Sequence, residues 1–173
     1  MKPLFLVGYM GCGKSTIGRK IAQRTGLRFV DTDAQVEERE GATVFDIFRY
    51  EGEERFRAIE REVLDATIAS EAAIVSTGGG LPTWRDNMEQ MNRSGRTVYL
   101  RRTAENIASR LSPYGRQKRP RLRGLNDEEL VRFMREDMAA REAHYAKAQL
   151  VIDCDTLHDD EIITTILNFH TQS

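Results

Sequence analysis

No apolar stretch in this sequence approaches the roughly 18 to 20 residues that a membrane span requires. The first apolar run, within MKPLFLVG at residues 1–8, is also too short for a signal peptide. An excess of charge of one sign is missing as well, because 26 basic residues stand against 27 acidic ones and the net charge is −1. Such a balance gives no overall attraction to nucleic acid or to an anionic membrane. We therefore expect a soluble cytoplasmic protein with no nucleic acid and no membrane among its partners.

Cysteine is scarce, and the two copies, Cys12 and Cys154, form neither a CxxC pair nor a metal-binding spacing. We interpret both as reduced structural thiols. The sequence also lacks internal repeats, low-complexity tracts and long linkers, so we expect residues 1–173 to form a single domain. A repeated apolar heptad is absent too, and the expected state is a monomer.

Short apolar runs recur along the chain, and segments with helical spacing separate them. The runs occupy residues 4–7, 27–30, 72–76, 97–100 and 150–153. Continuous apolar runs of this length are typical of strands that are buried on both faces. Strands that alternate with helices form right-handed βαβ units, so the pattern predicts a three-layer α/β fold with a parallel sheet.

The first loop, GYMGCGKST at residues 8–16, follows the first predicted strand and leads into a predicted helix. Its Gly8-x-x-x-x-Gly13-Lys14-Ser15 pattern in that setting indicates a phosphate-binding P-loop. Glycines let successive backbone N–H groups point at phosphate oxygens, while Lys14 reaches the β- and γ-phosphates and Ser15 ligates Mg²⁺. The motif predicts a nucleoside triphosphate site, with Cys12 as a small filler in the loop.

Two aspartates, Asp31 and Asp33, follow the second predicted strand, at the sheet edge where open α/β folds bind ligands. Side chains two positions apart in an extended chain point the same way, so both carboxylates can face one site. One would hold Mg²⁺ through water and the other would accept the proton of an attacking hydroxyl. The alternative is that one aspartate caps a helix while the other is solvated. No N-K-x-D guanine signature occurs in the chain, which disfavours a GTPase.

Charged side chains are predicted on the buried faces of two helices. In GEERFRAIEREVLDATI, residues 52–68, Glu60 lies within the apolar stripe and Arg57 lies at its edge. Arg57 can reach Glu60, so the two form either a structural ion pair or a carboxylate that orients Arg57 toward an anionic ligand. Arg141 lies near the middle of another apolar stripe and requires an anion, from the protein or from a ligand.

Three consecutive glycines, Gly78, Gly79 and Gly80, end the third predicted strand within STGGGLP. A single glycine there would indicate only a turn. Three of them allow a ligand to lie directly against the backbone, which favours a small polyhydroxylated substrate.

The segment RLSPYGRQKRPRLRGLND at residues 110–127 combines prolines and glycines with a cluster of basic residues. This composition predicts a mobile surface segment rather than a packed element. We interpret it as a lid that brings Arg119 or a neighbour over the triphosphate and excludes water. The alternatives are a solvated loop and a nucleic-acid patch, and the second is disfavoured because Tyr114 is the only aromatic residue in the segment.

These motifs, in this order and at these separations, resemble those of the shikimate kinase family over nearly the whole chain. The matching stretches are the P-loop, DTD, GEERFR, STGGG, Arg119-Pro120 and REAHY. The resemblance implies a three-layer α/β/α fold of the P-loop NTPase type, with a five-stranded parallel sheet and a mobile lid at about residues 110–126. It implies ATP-dependent phosphorylation of the 3-hydroxyl of shikimate, giving shikimate 3-phosphate and ADP in aromatic amino acid biosynthesis through chorismate, with Mg²⁺ as cofactor.

The motifs and the resemblance together imply three groups of site residues. Shikimate would be bound by Asp33, Arg57, Gly78, Gly79, Gly80, Arg141, Phe48, Phe56 and Glu60. ATP would be bound by Gly11, Cys12, Gly13, Lys14, Ser15, Thr16, Arg110 and Arg119. Lys14, Asp33 and Arg119 would act in catalysis. Ser15 would ligate Mg²⁺ directly and Asp31 would bind it through water.

Within these groups the resemblance implies particular roles. Arg57 and Arg141 would clamp the shikimate carboxylate, while Asp33 would contact the ring hydroxyls and be the candidate base. Gly79 would offer its backbone N–H to the substrate, and Phe48 and Phe56 would wall the pocket. Arg110 would lie near the adenine. One departure concerns the lid, because Arg121-Leu122 follows Arg119-Pro120 where the family usually has two leucines.

Two other functions are compatible with parts of the pattern. The first is a kinase of the same fold for another small hydroxylated acid such as gluconate, which a generic P-loop permits. The second is a nucleotide-dependent regulatory module that binds nucleic acid through the basic run at residues 116–123.

Overall fold

The computed structural model describes residues 1–172, apart from the side chain of Pro120. It contains a five-stranded sheet in which every neighbouring pair of strands is parallel. The strands are β1 (Leu4–Val7), β2 (Arg28–Asp31), β3 (Ala73–Ser76), β4 (Arg96–Arg101) and β5 (Leu150–Asp153), in the order β2-β3-β1-β4-β5. β1 and β3 are buried throughout, as expected for strands covered on both faces. The predicted three-layer α/β/α fold with a five-stranded parallel sheet is confirmed.

Helices connect the strands and cover the sheet. They are α1 (Lys14–Thr25), α2 (Thr32–Glu40), α3 (Val44–Glu51), α4 (Glu53–Ile68), α5 (Asn87–Ser94), α6 (Ala104–Arg110), α7 (Pro113–Gln117), α8 (Asp127–Tyr145) and α9 (Asp159–Thr171). The longest, α8, begins with a capping box in which Asn126 accepts from the Glu129 N–H and the Glu129 side chain accepts from the Asn126 N–H. Short 3₁₀ turns occupy Leu81–Thr83 and Pro120–Leu122.

The strand order places the loops after β1, β2 and β3 at one edge of the sheet. β1 lies between β3 and β4, so the chain leaves it at the point where the order reverses, which is where open α/β sheets bind ligands. The register brings Asp31 at the end of β2 opposite Ser76 at the end of β3. The P-loop, the aspartates and the glycine run therefore meet at the same edge.

A second hydrophobic cluster lies apart from the main core. It is formed by buried side chains of α2, α3 and α4, namely Val36, Ile47, Phe56, Ile59 and Val63. This cluster holds the three helices together, and the same helices carry Asp33, Phe48, Arg57 and Glu60.

The basic segment at residues 110–127 differs from its prediction. Ser112 caps α7 by accepting from the Gly115 N–H, and Leu122 is buried in the main core with 1% of its surface exposed. The expectation that this segment contains no packed element is therefore wrong for Leu122 and for the single turn of α7. Local capping and one buried leucine outweigh the prolines and glycines that suggested an unstructured loop.

None of the helices of residues 1–172 combines the length and the apolar character that crossing a membrane would require.

Candidate active site

The P-loop contains three glycines with positive φ, namely Gly8 (148°), Gly11 (75°) and Gly13 (101°). A side chain is strongly disfavoured at such angles. Space is short as well, because a Cβ atom on Gly8 would lie 2.8 Å from Cys12 Sγ and 2.9 Å from the Leu100 carbonyl oxygen. Within the described residues no side chain caps the start of α1, so its first N–H groups are available to an anion.

Lys14, the first residue of α1, folds back over the loop. Its ammonium donates to the carbonyl oxygens of Gly8 (2.8 Å) and Tyr9 (2.9 Å), and 8% of the residue is exposed. These carbonyls satisfy a buried charge that would otherwise be costly. The P-loop thus holds its cation within the curl of the backbone, where a phosphate would meet it.

Arg102 donates a hydrogen bond to the backbone of the P-loop, and the sequence did not predict this contact. The residue is 4% exposed and donates from Nε to the Cys12 carbonyl (2.9 Å) and from Nη1 to the Cys154 carbonyl (3.0 Å). Its neighbour Arg101 is exposed and pairs with Asp153 instead. Composition does not distinguish these two arginines. Their places in the fold distinguish them, because Arg101 is the last residue of β4 and Arg102 follows the strand.

Asp31 ends β2, and its two carboxylate oxygens accept hydrogen bonds from three neighbours. Oδ1 accepts from the backbone N–H groups of Asp33 (3.0 Å) and Ala34 (3.2 Å), so Asp31 is the N-cap of α2. Oδ2 accepts from the Ser15 hydroxyl (3.0 Å), and Ser15 Oγ lies 3.1 Å from Ser76 Oγ. We expected Asp31 and Asp33 to point the same way because both would lie in extended chain. This is wrong, because α2 begins at Thr32 and Asp33 is therefore helical.

The oxygens around Ser15 form a donor set that Mg²⁺ accepts. The structure brings together one carboxylate and two hydroxyl groups, all hard ligands. Among residues 1–172 there is no cluster of three or more His, Cys, Asp or Glu side chains placed to hold a metal. Mg²⁺ commonly binds through one or two protein ligands, several waters and substrate phosphates, so this small set fits the ion.

The glycine run after β3 lies against the acidic side chains of α2 and α4. A Cβ atom on Gly78 would lie 2.5 Å from Asp33 Oδ1 and 3.0 Å from Glu60 Oε1. Burial, and then the neighbouring charge of Asp31, raise the pKa of Asp33, while Lys14 and Arg57 lower it less. The structure thus places a half-buried carboxylate with increased proton affinity beside the P-loop.

Arg57 and Glu60 form the predicted pair. Arg57 Nη1 lies 2.6 Å from Glu60 Oε2, which confirms the contact expected from their spacing on α4. Burial raises the pKa of Glu60 to about 7, although the charge of Arg57 and its hydrogen bond oppose the shift. A Cβ atom on Gly80 would overlap the Arg57 guanidinium, so a side chain at this position would displace Arg57.

Arg141 reaches the glycine run from α8. A Cβ atom on Gly79 would lie 3.3 Å from Arg141 Nη1, and Arg141 Nη2 lies 3.6 Å from Asp137 Oδ2. The Tyr9 hydroxyl donates to the same Asp137 oxygen (2.7 Å), and the Arg141 guanidinium lies 5.6 Å from the Tyr9 ring centre. Sequence reasoning missed Tyr9 and Asp137. The available signal was Asp137 one helical turn before Arg141.

The remaining predicted residues lie at the margins of the site. A Cβ atom on Gly13 would lie 3.6 Å from Arg110 Nη2, so Arg110 lies beside the P-loop. Arg119 donates to the Gly115 carbonyl (2.9 Å) within its own segment in this conformation. Phe56 is buried in the second cluster, and its ring centre lies 5.4 Å from that of the half-exposed Phe48. The ligand roles of these four residues stay predictions.

Comparison with known proteins identifies the family. The family model described as shikimate kinase matches residues 10–171. The chain belongs to this family. The shikimate kinase of Parabacteroides distasonis is 43% identical over 97% of this chain and 96% of its own length. That of Bacteroides thetaiotaomicron is 40% identical over 92% of this chain and 90% of its own length. Since shikimate kinases are phosphotransferases, this chain is a phosphotransferase with a P-loop.

Solved structures agree with this assignment. A crystal structure of the shikimate kinase from Bacteroides thetaiotaomicron is 36% identical, with a TM-score of 0.91 and 97% of each chain covered. The shikimate kinase from Acinetobacter baumannii in complex with shikimate is 32% identical, with a TM-score of 0.85 and coverage of 98% and 92%. A gluconokinase from Sinorhizobium meliloti is 17% identical with a TM-score of 0.55, which shows a common fold only.

Proposed function

We propose that this protein transfers the γ-phosphoryl group of ATP to the 3-hydroxyl of shikimate, giving shikimate 3-phosphate and ADP in aromatic amino acid biosynthesis. The observation that carries the proposal is the convergence of the P-loop, Asp33, Arg57 and Arg141 around one run of glycines. Phosphoryl transfer depends mainly on positioning the two substrates and on stabilising charge, and this arrangement offers groups for both tasks.

The acceptor would bind against the glycine run. Arg57 and Arg141 are two guanidinium groups close to Gly80 and Gly79, and a carboxylate between them would receive charge-assisted hydrogen bonds from both sides. Glu60 fixes one edge of Arg57 through the 2.6 Å contact, which leaves the rest of the guanidinium for the ligand. Gly79 would donate its backbone N–H to the substrate, and Phe48 and Phe56 would close one wall.

The nucleotide would bind on the other side of the same edge. The backbone of residues 11–16 and the start of α1 would receive the phosphates, and Lys14 would exchange its two carbonyl partners for phosphate oxygens. Arg110 would lie near the adenine. Arg119 would leave the Gly115 carbonyl when the lid closes and would then stabilise charge on the transferred group.

Mg²⁺ bound with ATP would neutralise negative charge on the β- and γ-phosphates. Ser15 would hold the ion directly, and Asp31 would bind it through water with the oxygen that now accepts from the Ser15 hydroxyl. The other oxygen of Asp31 caps α2, so it keeps the carboxylate in place.

Asp33 would contact the ring hydroxyls and orient the attacking one. Its raised pKa makes it a better proton acceptor than an exposed aspartate, and it lies next to Gly78 where the acceptor would rest. The transition state of phosphoryl transfer is loose, so orientation of the hydroxyl contributes more than early removal of its proton.

We expect residues 1–173 to act as a single cytoplasmic kinase domain with its lid at about residues 110–126. We also expect the protein to work as a monomer, since no repeated apolar heptad in the sequence suggests obligate pairing.

The test is ADP release in a coupled assay with Mg-ATP, measured with and without shikimate and with gluconate in parallel. We expect strong stimulation by shikimate alone and almost none for Lys14→Ala, which lacks the cation of the P-loop. A higher kcat/KM for gluconate than for shikimate would mean that gluconate, and not shikimate, is the acceptor. No stimulation by either acid, together with salt-sensitive nucleic-acid binding that survives Arg57→Ala, would favour the regulatory module instead.

A further inference from the structure

Asp137 on α8 is a carboxylate shared by three separate parts of the molecule. Its side chain is 15% exposed. It contacts Tyr9 of the P-loop, Arg141 at the proposed acceptor site and Arg121 of the segment between α7 and α8. The motifs that point to a kinase do not include Asp137, so its contacts require a separate explanation.

The two oxygens of Asp137 face different neighbours. Oδ2 accepts from the Tyr9 hydroxyl at 2.7 Å and lies 3.6 Å from Arg141 Nη2. Oδ1 lies 4.0 Å from Arg121 Nη2. The hydrogen bond from the Tyr9 hydroxyl holds the carboxylate in one orientation. In this orientation Oδ2 faces Arg141 at the proposed acceptor site, and Oδ1 faces Arg121 of the lid.

Arg121 is the position at which the lid departs from the family, which usually has leucine there. Its guanidinium lies 5.0 Å from the centre of the Phe133 ring on α8, and the side chain is 60% exposed. The arginine therefore docks the lid on α8 through an aromatic face and a carboxylate, while Leu122 is buried beside it.

We propose that Asp137 is a positioning residue that couples acceptor binding to the position of the lid through Arg121. The inference rests on the proposed function, since it requires that Arg141 binds the acceptor carboxylate. Among residues 1–172, Asp137 is the carboxylate that pairs with Arg141 in this structure. When the acceptor carboxylate neutralises Arg141, Asp137 is left beside a second negative charge, and Arg121 becomes its main cationic partner.

Acceptor binding would thereby strengthen the contact that already docks the lid on α8 and would favour nucleotide binding. Coupling of this kind is reciprocal, so nucleotide would raise the affinity for the acceptor by the same factor. The quantity to measure is the ratio of the Kd for a non-hydrolysable ATP analogue without shikimate to the Kd with saturating shikimate.

Arg121→Gln is the main test variant, because the side chain is exposed and its loss should not prevent folding. We expect it to lower the coupling ratio roughly threefold, the size of effect typical of a partly exposed ion pair. The Kd for the analogue without shikimate should change little. Arg121→Lys keeps the charge and should restore most of the ratio.

Lys118→Gln is the matched control. It removes one positive charge from the same lid, but the Lys118 ammonium lies over the Tyr114 ring rather than at Asp137. Asp137→Asn should lower the ratio as Arg121→Gln does, and the double variant should lose no more than either single one, because both changes remove the same interaction.

The outcomes separate this inference from the function on which it rests. Wild-type protein that binds the ATP analogue but no shikimate would overturn the proposed function and this inference with it. Wild-type coupling that Arg121→Gln retains in full would overturn the inference alone. An equal loss in Lys118→Gln would also overturn it, because the total charge of the lid would then be responsible.

Discussion

Glu60 is the residue at which burial and charge oppose each other most directly. It is almost fully buried, it pairs with Arg57, and its pKa is about 7 instead of 4.5. The folded protein therefore keeps a proton on this group that the unfolded chain releases at a lower pH.

Glu60 should make the stability of the protein depend on pH. Between pH 4.5 and about 7 the folded state binds more protons at Glu60 than the unfolded state does, so the free energy of unfolding falls as pH rises. The loss from this group reaches about 3 kcal/mol above pH 7. Glu60→Gln cannot titrate and should lack this loss, which urea unfolding at pH 5 and pH 8 would measure.

The control for this experiment is Glu54→Gln, an exposed change on the same helix. It should leave the difference in unfolding free energy between pH 5 and pH 8 as it is in the wild type. If Glu60→Gln and the wild type lost equal stability over this interval, Glu60 would be charged in the folded protein at both values.

Substitution of Arg141 tests whether this residue binds the acceptor or only stabilises the fold. Loss of a charge-assisted hydrogen bond to the acceptor carboxylate should raise the KM for shikimate about 10- to 100-fold in Arg141→Ala. The KM for ATP should change little. The measurement is initial rates with each substrate varied in turn, and Arg135→Ala, an exposed arginine of the same helix paired with Glu105, is the control. A normal KM for shikimate with a lower Tm would mean that Arg141 is structural.

At the scale of elements, the loop after β1 depends on the ends of β4 and β5. Arg102 follows β4 and joins the Cys12 carbonyl of the P-loop to the Cys154 carbonyl after β5. A buried arginine that satisfies two carbonyls is costly to remove, because the carbonyls lose their partners in a place that water does not reach. The shape of the P-loop is therefore partly set from outside its own sequence motif.

Arg102→Met tests this dependence. We expect it to lower the free energy of unfolding by about 2 to 4 kcal/mol and to raise the KM for ATP several-fold, with a smaller effect on the KM for shikimate. Arg101→Met, at the exposed neighbour, should cost less than about 1 kcal/mol. Arg102→Lys can reach one carbonyl and should recover part of the ATP affinity. Equal KM values for ATP in Arg102→Met and the wild type would contradict the idea.

Most elements could be predicted from the sequence, and the exceptions have physical causes. Each strand begins within one residue of its predicted apolar run. Burial along the whole strand is confirmed for β1 and β3, which lie inside the sheet, and is wrong for the edge strands β2 and β5, which are only partly buried. The start of α2 was missed because Asp31-Thr32-Asp33 suits both an extended chain and a helix cap. α7 was missed because a five-residue helix has almost no periodicity to detect.

Some contacts of the proposed site could be predicted from the sequence and others could not. The P-loop and the Arg57–Glu60 pair follow from short-range spacing, which sequence displays directly. The hydrogen bond between Tyr9 and Asp137 joins residues 128 positions apart. Such a contact depends on how α8 packs against the P-loop, and no local pattern specifies that packing.

At the scale of the whole molecule, the structure has two hydrophobic clusters of unequal size. The smaller one lies between α2, α3 and α4, and those helices carry much of the proposed acceptor site. A small cluster has fewer buried contacts to lose, so it should open at a lower free energy than the sheet. The acceptor side of the enzyme is thus expected to be its more mobile half.

Native-state hydrogen exchange would measure this difference. We expect amides of α3 to exchange faster than those of β1 and β4 in the free protein. Saturating shikimate should slow exchange in α3 and α4 more than in β4, because a ligand that binds only the closed arrangement stabilises it by mass action. Uniform slowing across the sheet and these helices would mean that the second cluster does not open separately.

The glycine run has a consequence for the design of inhibitors. At Gly78, Gly79 and Gly80 any added carbon would press on Asp33, Arg141 or Arg57, so a substitution there would displace one of the groups proposed to bind the acceptor. An inhibitor that binds against the backbone of Gly78, Gly79 and Gly80 would contact residues that tolerate few substitutions. Resistance by substitution at these positions would come with loss of shikimate binding.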